Sequence, residues 1–243
     1  MIKEYLNSLE KNYGYTGNWQ PNCSLQVGNW ADVELGFLPW LKELVGIHFK
    51  SLEINENLHS IMAGSLGDLN LKKEKMAPMT LYHNVSINAG GSCQPVSIKA
   101  QKKGGFFAVF QDIYAQRADP VLFKDKLEKL NKTSIAVVSG VMSVKKGFLV
   151  VFNKNSASIT LSGDCSLDTL INHPAALHSN LDISYNTDGV VMFQAEPAKP
   201  LMPFVTIHIA EHEKQSGFDG HSSLSEGGYD IAPFSYTDFF SQF

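Results

Sequence analysis

The chain has 243 residues and a formal net charge of −4, and 44% of its residues are hydrophobic while 18% are charged. The hydrophobic fraction is enough to build a folded core, and this composition excludes a disordered chain and a coiled coil. No apolar run approaches the roughly 18 residues that a membrane-spanning helix needs.

The N-terminal sequence and the cysteines predict a cytoplasmic protein. The first residues, MIKEYLNSLEK, lack the apolar centre of a secretory signal. The three cysteines, Cys23, Cys93 and Cys165, lie far apart, and their odd number leaves at least one thiol free. Their spacing matches neither a zinc site nor a disulfide framework. We therefore expect no metal and no other cofactor.

Three helices are predicted in chain order. Apolar residues at helical spacing indicate a short amphipathic helix over residues 1–12. Pro39 is typical of the first turn of a helix, which we expect to extend to residue 45. Asp119 and Pro120 form the clearest helix start in the chain, with Asp119 as the cap of a helix over residues 119–131.

Most of the remaining chain is predicted to be extended. Residues 18–38 are typical of turn-rich β structure, and residues 60–80 are expected to form a long loop or a mobile hairpin. Alternating or Val-rich segments predict strands at 81–88, 95–100, 106–114, 133–144, 148–152, 157–161, 181–185, 190–195 and 204–210.

Two groups of these strands are predicted to pair locally. Lys145, Lys146 and Gly147 have the composition of a turn, so residues 133–161 are expected to form a three-stranded antiparallel meander. Residues 181–195 are expected to form a further hairpin. Together these elements predict an α+β fold, a twisted and mostly antiparallel β-sheet with a few short helices.

Charge is distributed unevenly along the chain. Residues 1–71 have a net charge of −4, residues 72–154 of +9 and residues 155–243 of −9. The basic middle segment favours an anionic partner, unless folding interleaves the segments and cancels the field. Nineteen of the twenty basic residues are Lys. This composition disfavours nucleic acid, which is read largely by Arg, and suits diffuse attraction to anionic lipid.

Seven lysines lie in predicted turns or in the weakly patterned segment. Near an anionic membrane each contributes about 1 kcal/mol to docking. An alternative is that these lysines only keep strand edges soluble. The candidate lipid-binding residues are Lys72, Lys73, Lys75, Lys102, Lys103, Lys145 and Lys146.

Catalytic motifs are missing from the sequence. It contains no phosphate-binding glycine loop and no GxSxG nucleophile motif. His208 and His212 have a spacing that would hold zinc on a helix, but the residues around them alternate as in a strand. Cys93 is expected to be an ordinary thiol in a turn. A hydrolase that uses Cys93 or His208 and His212 is the third-ranked class of function.

A family resemblance rests on residues 134–163, SIAVVSGVMSVKKGFLVVFNKNSASITLSG. A Val-rich strand, a short polar turn, a second strand and a small-residue segment resemble the pore-forming domain of gasdermins of the bacterial type. Residues 119–131 are similar to the helix that precedes this strand in that family, and residues 181–209 to its closing strands. The resemblance covers residues 119–209, and Cys23 departs from it, because bacterial gasdermins often begin with a lipidated Cys.

The resemblance implies a pore former that stays inactive in the cytoplasm until its C-terminal tail is released. Residues 1–213 are expected to form one domain and residues 214–243 an acidic, aromatic tail. Residues 214–228 have the composition of a linker that a protease would cut. The residues expected to plug an apolar groove are Phe234, Phe239, Phe240 and Phe243.

The implied partners are anionic membrane lipids, an activating protease and further copies of the chain, with the active form at the membrane. The alternative function is a non-catalytic module that binds a protein or a small ligand on its sheet. A tail that simply completes the core is the alternative for residues 229–243.

Overall fold

The computed structural model describes residues 2–18, 21–22, 25–32, 64–89, 95–130, 134–162, 167–174, 182–185, 188–212 and 229–233. The helices are α1 (Ile2–Tyr13), α2 (Pro120–Leu130) and α3 (Leu167–Ile171). The first strands are β1 (Asn29–Asp32), β2 (Gly64–Ser65), β3 (Lys72–Met76), β4 (Met79–His83), β5 (Val85–Ala89), β6 (Val96–Ala100) and β7 (Phe106–Arg117). The others are β8 (Ser134–Phe152), β9 (Ser158–Ser162), β10 (Asp182–Tyr185), β11 (Val190–Ala195), β12 (Leu201–His212) and β13 (Tyr229–Pro233).

The strands form two antiparallel sheets. Among the described residues the larger sheet has nine strands, and the smaller has four in the order β10-β9-β6-β5. The 19-residue β8 is the centre of the larger sheet, with β1 and β7 along one side and β12 and β11 along the other. Beyond them, β3 and β4 pair with β7, and β13 pairs with β12. This architecture confirms the predicted α+β fold with a mostly antiparallel sheet.

Each face of the larger sheet covers a separate hydrophobic core. The first core lies between this sheet and the helices α1 and α2, and it includes Leu6, Phe110 and Leu127. The second core lies against the smaller sheet and includes Phe107 and Phe152. Phe106 and Phe107 are adjacent and both fully buried, because successive side chains of a strand point to opposite faces.

Residues 13–18, which we call the strap, connect the two edges of the curled larger sheet. The Tyr13 hydroxyl hydrogen-bonds to the backbone of Tyr82 on β4. Thr16 O accepts a bond from Val205 N at 3.0 Å, and Asn18 N donates to Pro203 O at 2.7 Å, both on β12. Tyr13 and Thr16 are three positions apart, so the backbone between them spans at most about 10 Å. The curl therefore brings the edges at β4 and β12 close to each other.

Two of the predicted helices are confirmed, and the third, over residues 39–45, lies outside the described residues. The helix expected over 1–12 is α1, whose buried Tyr5, Leu6 and Leu9 form its inner face. The helix expected over 119–131 is α2. Asp119 Oδ1 caps it by accepting hydrogen bonds from the backbone nitrogens of Val121 and Leu122 at 3.0 and 3.2 Å.

The prediction of a turn at residues 145–147 is wrong. Lys145, Lys146 and Gly147 lie inside the continuous strand β8, which pairs with β7 on both sides of them. The meander over residues 133–161 is wrong too, because β9 leaves the larger sheet and pairs with β6 and β10.

Three further sequence-based expectations need correction. Residues 72–76 and 79–83 form β3 and β4, although residues 60–80 were expected to be a loop or a mobile hairpin. The two strands within residues 181–195 do not form a hairpin, because β10 pairs with β9 and β11 with β8. The strand expected at 204–210 is confirmed, but it is only part of β12, which extends from Leu201 to His212 and pairs with a further strand, β13.

Side-chain alternation shifts by one residue in three neighbouring strands at the same level. Met76, Ile113 and Val144 are cross-strand neighbours on the first core, and so are Met79 and Phe110 one step further along. In each strand two residues lie between the core-facing positions of these two rows, whereas in a regular strand a single residue lies between successive side chains on the same face. We call this line, formed by residues 77–78, 111–112 and 145–146, the crease.

Left-handed backbone conformations produce the crease. Asp112 has a φ of 47° and Gly147 a φ of 125°. A Cβ atom at Gly147 would overlap the carbonyl oxygen of Val109, so only glycine fits this position. β3 and β4 follow each other along the outer side of β7, and Pro78, which has no N–H to donate, lies in the break between them.

Candidate anion-binding surface

The crease gathers four lysines around two residues of β7. Lys73 and Lys75 stand on β3, where Lys75 is the cross-strand neighbour of Tyr114. Lys145 and Lys146 are consecutive exposed residues of β8, because the crease interrupts the alternation there. We call the set Lys73, Lys75, Lys145 and Lys146 the basic cluster.

The Tyr114 ring is contacted by lysines from both neighbouring strands. Lys73 Nζ lies 4.6 Å from the ring centroid and Lys145 Nζ lies 5.2 Å from it. An ammonium group within about 6 Å of an aromatic face is attracted by the ring, and at exposed sites this contributes roughly 0.5–1 kcal/mol. Tyr114 therefore holds one lysine of each strand beside the crease.

Asp112 is the carboxylate at the centre of the basic cluster. Its oxygens lie 4.0 Å from Lys75 Nζ and 3.8 Å from Lys146 Nζ. These distances are long for ion pairs, and both lysine side chains are more than half exposed, so water screens the attraction. One carboxylate among four ammonium groups leaves the cluster with an excess of three positive charges.

Comparisons with protein-family profiles, curated proteins and solved structures found no match. A functional conclusion for this protein therefore depends on its own geometry.

The other candidate lysines divide between two places. Lys72 is exposed at the start of β3, where its register partner is Arg117, and it lies on the opposite face of the strand from Lys73 and Lys75. Lys102 and Lys103 lie in the turn before β7, beyond the end of that strand and apart from the crease. The turn packs against the end of β4, because a Cβ atom at Gly105 would lie 3.1 Å from Lys102 O and 3.2 Å from His83 O. Burial lowers the pKa of His83, and the charge of Lys102 lowers it further.

The C-terminal tail is described only over β13. Its five residues pair with residues 208–212 of β12, from His208↔Pro233 to His212↔Tyr229. Among the described strands it is therefore the outermost on this edge of the larger sheet. Phe234, Phe239, Phe240 and Phe243 lie outside the described residues, as does the expected cleavage segment 214–228.

The candidate catalytic residues are only partly described. Cys93 and the His212 side chain lie outside the described part of the chain. His208 Nδ1 lies 2.8 Å from Ser139 Oγ, which also donates a hydrogen bond to the carbonyl of Thr206 at 3.3 Å. Burial lowers the pKa of His208, and the ring packs edge-on against Phe123. Within the described residues this pair has no carboxylate partner, and no group of three His, Cys, Asp or Glu side chains could hold a metal ion.

Two residues of the surface were not identified from the sequence. Tyr114 and Asp112 carry no motif, and each acquires its role only because β3 and β8 flank β7. Across the described part of the chain, none of the helices is long and apolar enough to cross a bilayer.

Proposed function

We propose that this protein is a gasdermin-like pore former that docks on anionic membranes through the basic cluster once its C-terminal tail is released. The observation that carries the proposal is the convergence of Lys73, Lys75, Lys145 and Lys146 from two strands onto one surface. The proposed lipid-binding set of seven lysines is thereby ranked, with the basic cluster first and Lys72, Lys102 and Lys103 second.

The chemistry of the cluster suits lipid headgroups. Four lysines at about 1 kcal/mol each, less about 1 kcal/mol for Asp112, supply roughly 3 kcal/mol, which corresponds to a dissociation constant of several millimolar. Docking of one copy is therefore weak and sensitive to salt, and stable attachment requires several copies acting together. A homo-oligomer at the membrane supplies this multivalency, and the exposed Tyr82 and partly exposed Tyr114 supply aromatic contacts of the kind found at membrane interfaces.

The C-terminal tail controls the change from the inactive form to the membrane-bound form. Among the described strands β13 pairs only with β12, and its Ile231 packs against the first core. A protease that cuts within residues 214–228 would detach the tail, and the protein would move from the cytoplasm to the membrane. Nucleic acid is not a proposed partner, because the basic cluster contains no Arg.

Dye release from anionic liposomes tests the proposal. A recognition sequence for a specific protease is placed within residues 214–228, and leakage is measured before and after cutting. We expect leakage only from the cut protein. The variant Lys145→Glu/Lys146→Glu should lose it, whereas the matched variant Lys102→Glu/Lys103→Glu should retain most of it. Equal leakage from both variants, or no leakage from the cut protein, would overturn the proposal.

The alternative, a non-catalytic ligand-binding module, is favoured by one observation. Two ammonium groups lie within 5.2 Å of the Tyr114 ring, an arrangement that also suits a small anion with an aromatic part. Titration of the full chain with an aryl phosphate, followed by calorimetry, distinguishes the two functions. Tight binding by the uncut chain, lost in Tyr114→Ala and without leakage after cutting, would favour the module.

A further inference from the structure

The strand β13 and the strand β3 lie at opposite edges of the larger sheet and run in the same direction. Every pairing along the path β13, β12, β8, β7, β3 is antiparallel. Both β13 and β3 are therefore antiparallel to β12. If a second copy joined the β12 edge in the same orientation, the strand that it would present there is one of its far edge, with the direction that β13 has. Through β7 and β8, β3 is level with residues 201–206 of β12, so a copy whose β3 pairs with residues 208–212 is displaced along the strands by about six residues, roughly 20 Å.

Of the strands at that far edge, β3 is the one best suited to accept a partner. The edge of β4 is occupied by the Tyr13 hydroxyl, which bonds to both Tyr82 N and Tyr82 O. β2 has two residues, whereas β3 has five, the same number as β13. Within the described residues, β3 pairs with β7 alone, and residues 72–75 are exposed.

The edge of β12 is covered in two sections by different parts of the chain. The strap covers the first section through its bonds to Pro203 and Val205. β13 covers the second section, residues 208–212. Loss of the tail therefore exposes a five-residue edge and leaves the strap in place. An exposed edge is a template for pairing with another strand.

We infer that β13 occupies the place of the β3 strand of a second copy, and that release of the tail lets copies associate head-to-tail through β3 and residues 208–212 of β12. The inference rests on the proposed function for the release of the tail, and it adds the surfaces through which the copies meet. The contact is heterologous, so it can be repeated by further copies. Edge pairing uses backbone groups, so the face that carries Lys73 and Lys75 stays available to lipid.

Cutting the chain changes the competition between the two strands. Before the cut, β13 is tethered, and its effective concentration at the β12 edge is in the millimolar range. After the cut, the tail is diluted to the concentration of the protein. The β3 strand of a second copy then binds as part of a folded sheet, which loses less conformational entropy than a free peptide.

Cysteine cross-linking tests the contact directly. Cys23, Cys93 and Cys165 are changed to Ser, and Glu74→Cys on β3 is combined with Ala210→Cys on β12. A short thiol-specific cross-linker is added before and after cutting within residues 214–228. We expect the cut double variant to give a ladder of dimers, trimers and larger species, at least tenfold more abundant than in the uncut chain. Each single variant should give no species larger than a dimer.

A matched control replaces the β3 cysteine with one on α2. The variant Lys129→Cys/Ala210→Cys also carries two thiols, one of them exposed on α2, and we expect no ladder from it. A ladder of equal strength in this control, or no ladder from the Glu74→Cys/Ala210→Cys protein after cutting, would overturn the inference. Thermal melting of the uncut variants verifies that they are folded.

Dye release by the uncross-linked cut protein separates the two proposals. Leakage without a ladder contradicts the β3–β12 contact and supports the proposed function. A ladder without leakage supports the contact and contradicts the proposed function.

Discussion

The Tyr13 hydroxyl forms two hydrogen bonds with the backbone of Tyr82, donating to its carbonyl oxygen at 2.6 Å and accepting from its N–H at 3.1 Å. One side chain thus supplies the donor and the acceptor that a neighbouring strand would supply to an edge. The contact joins the end of α1 to β4, and the rest of the strap joins the same segment to β12. The N-terminal segment therefore holds the curled sheet at both edges.

Removal of this hydroxyl should weaken the β4 edge. We expect Tyr13→Phe to lower the free energy of unfolding by about 1–2 kcal/mol, because two backbone groups lose their partner while the ring is retained. Urea denaturation measures the loss, and hydrogen exchange should show reduced protection of the Tyr82 amide. Tyr15→Phe is the control, since its ring stacks on Phe204 at 4.4 Å and would stay in place. Equal stability of Tyr13→Phe and the unmodified protein would contradict the role of the strap.

Glycine at position 147 should be indispensable for the crease. Gly147→Ala combines a left-handed φ of 125° with overlap between the new Cβ and Val109 O. We expect a loss of at least about 3 kcal/mol in the free energy of unfolding. Gly67→Ala is the matched control, because Gly67 also has a positive φ, 78°, but open space around its Cβ position. It should cost about 1 kcal/mol. Similar losses for the two variants would show that the close approach to Val109 does not matter.

Neutralising Asp112 should strengthen membrane docking. Asp112→Asn removes the one carboxylate at the centre of the basic cluster, and Asn tolerates the left-handed φ of 47°. A change of one charge near the surface is worth about 1 kcal/mol, so the cut protein should bind anionic vesicles about fivefold more tightly at low salt. Sedimentation with vesicles measures the affinity.

The control for Asp112→Asn makes the same charge change elsewhere. Asp125→Asn on α2 removes a carboxylate that pairs with Lys129 at 2.7 Å, away from the crease. Its effect on vesicle affinity should be less than about twofold. If both variants gain affinity equally, docking depends on net charge and the basic cluster has no special part in it.

Acid should destabilise the protein through His208. Burial lowers the pKa of this ring in the folded state below its ordinary value, so the unfolded chain binds the proton first as the pH falls. The stability contributed by the neutral ring is complete above about pH 6.5 and declines below it. Melting temperatures at pH 7.5 and pH 5.5 measure the effect, and the difference between them should be smaller in His208→Gln. An unchanged difference would assign the pH dependence to other groups.

Local sequence patterns determined the elements that have local causes. The helix α2 follows from Asp119 and Pro120, because a side-chain acceptor and a fixed φ act within one turn. The lysines of β3 and β8 were identified as candidate binding residues from charge alone. The strand β12 followed from the alternation of apolar residues, although its start and end extended beyond the predicted 204–210.

Pairing between strands could not be read from local patterns. Lys145, Lys146 and Gly147 have the composition of a turn, yet they lie inside one long strand that pairs with β7 on both sides of them. The partner of β9 was taken to be its predecessor in sequence, whereas its neighbours are β6 and β10. The composition of a short segment indicates which local conformations it can adopt, whereas strand pairing depends on contacts between residues far apart in the chain.

The amino-acid sequence by itself determined that this protein has helices with strong caps, many β-strands and a basic middle segment. Only the tertiary structure decided that three strands shift their alternation together, which places Tyr114 and Asp112 among four lysines and leaves Lys102 and Lys103 beyond the end of β7. The physical reason is that alternation and capping act within a few residues, whereas the crease requires matching backbone changes in β3, β7 and β8 at one level of the sheet.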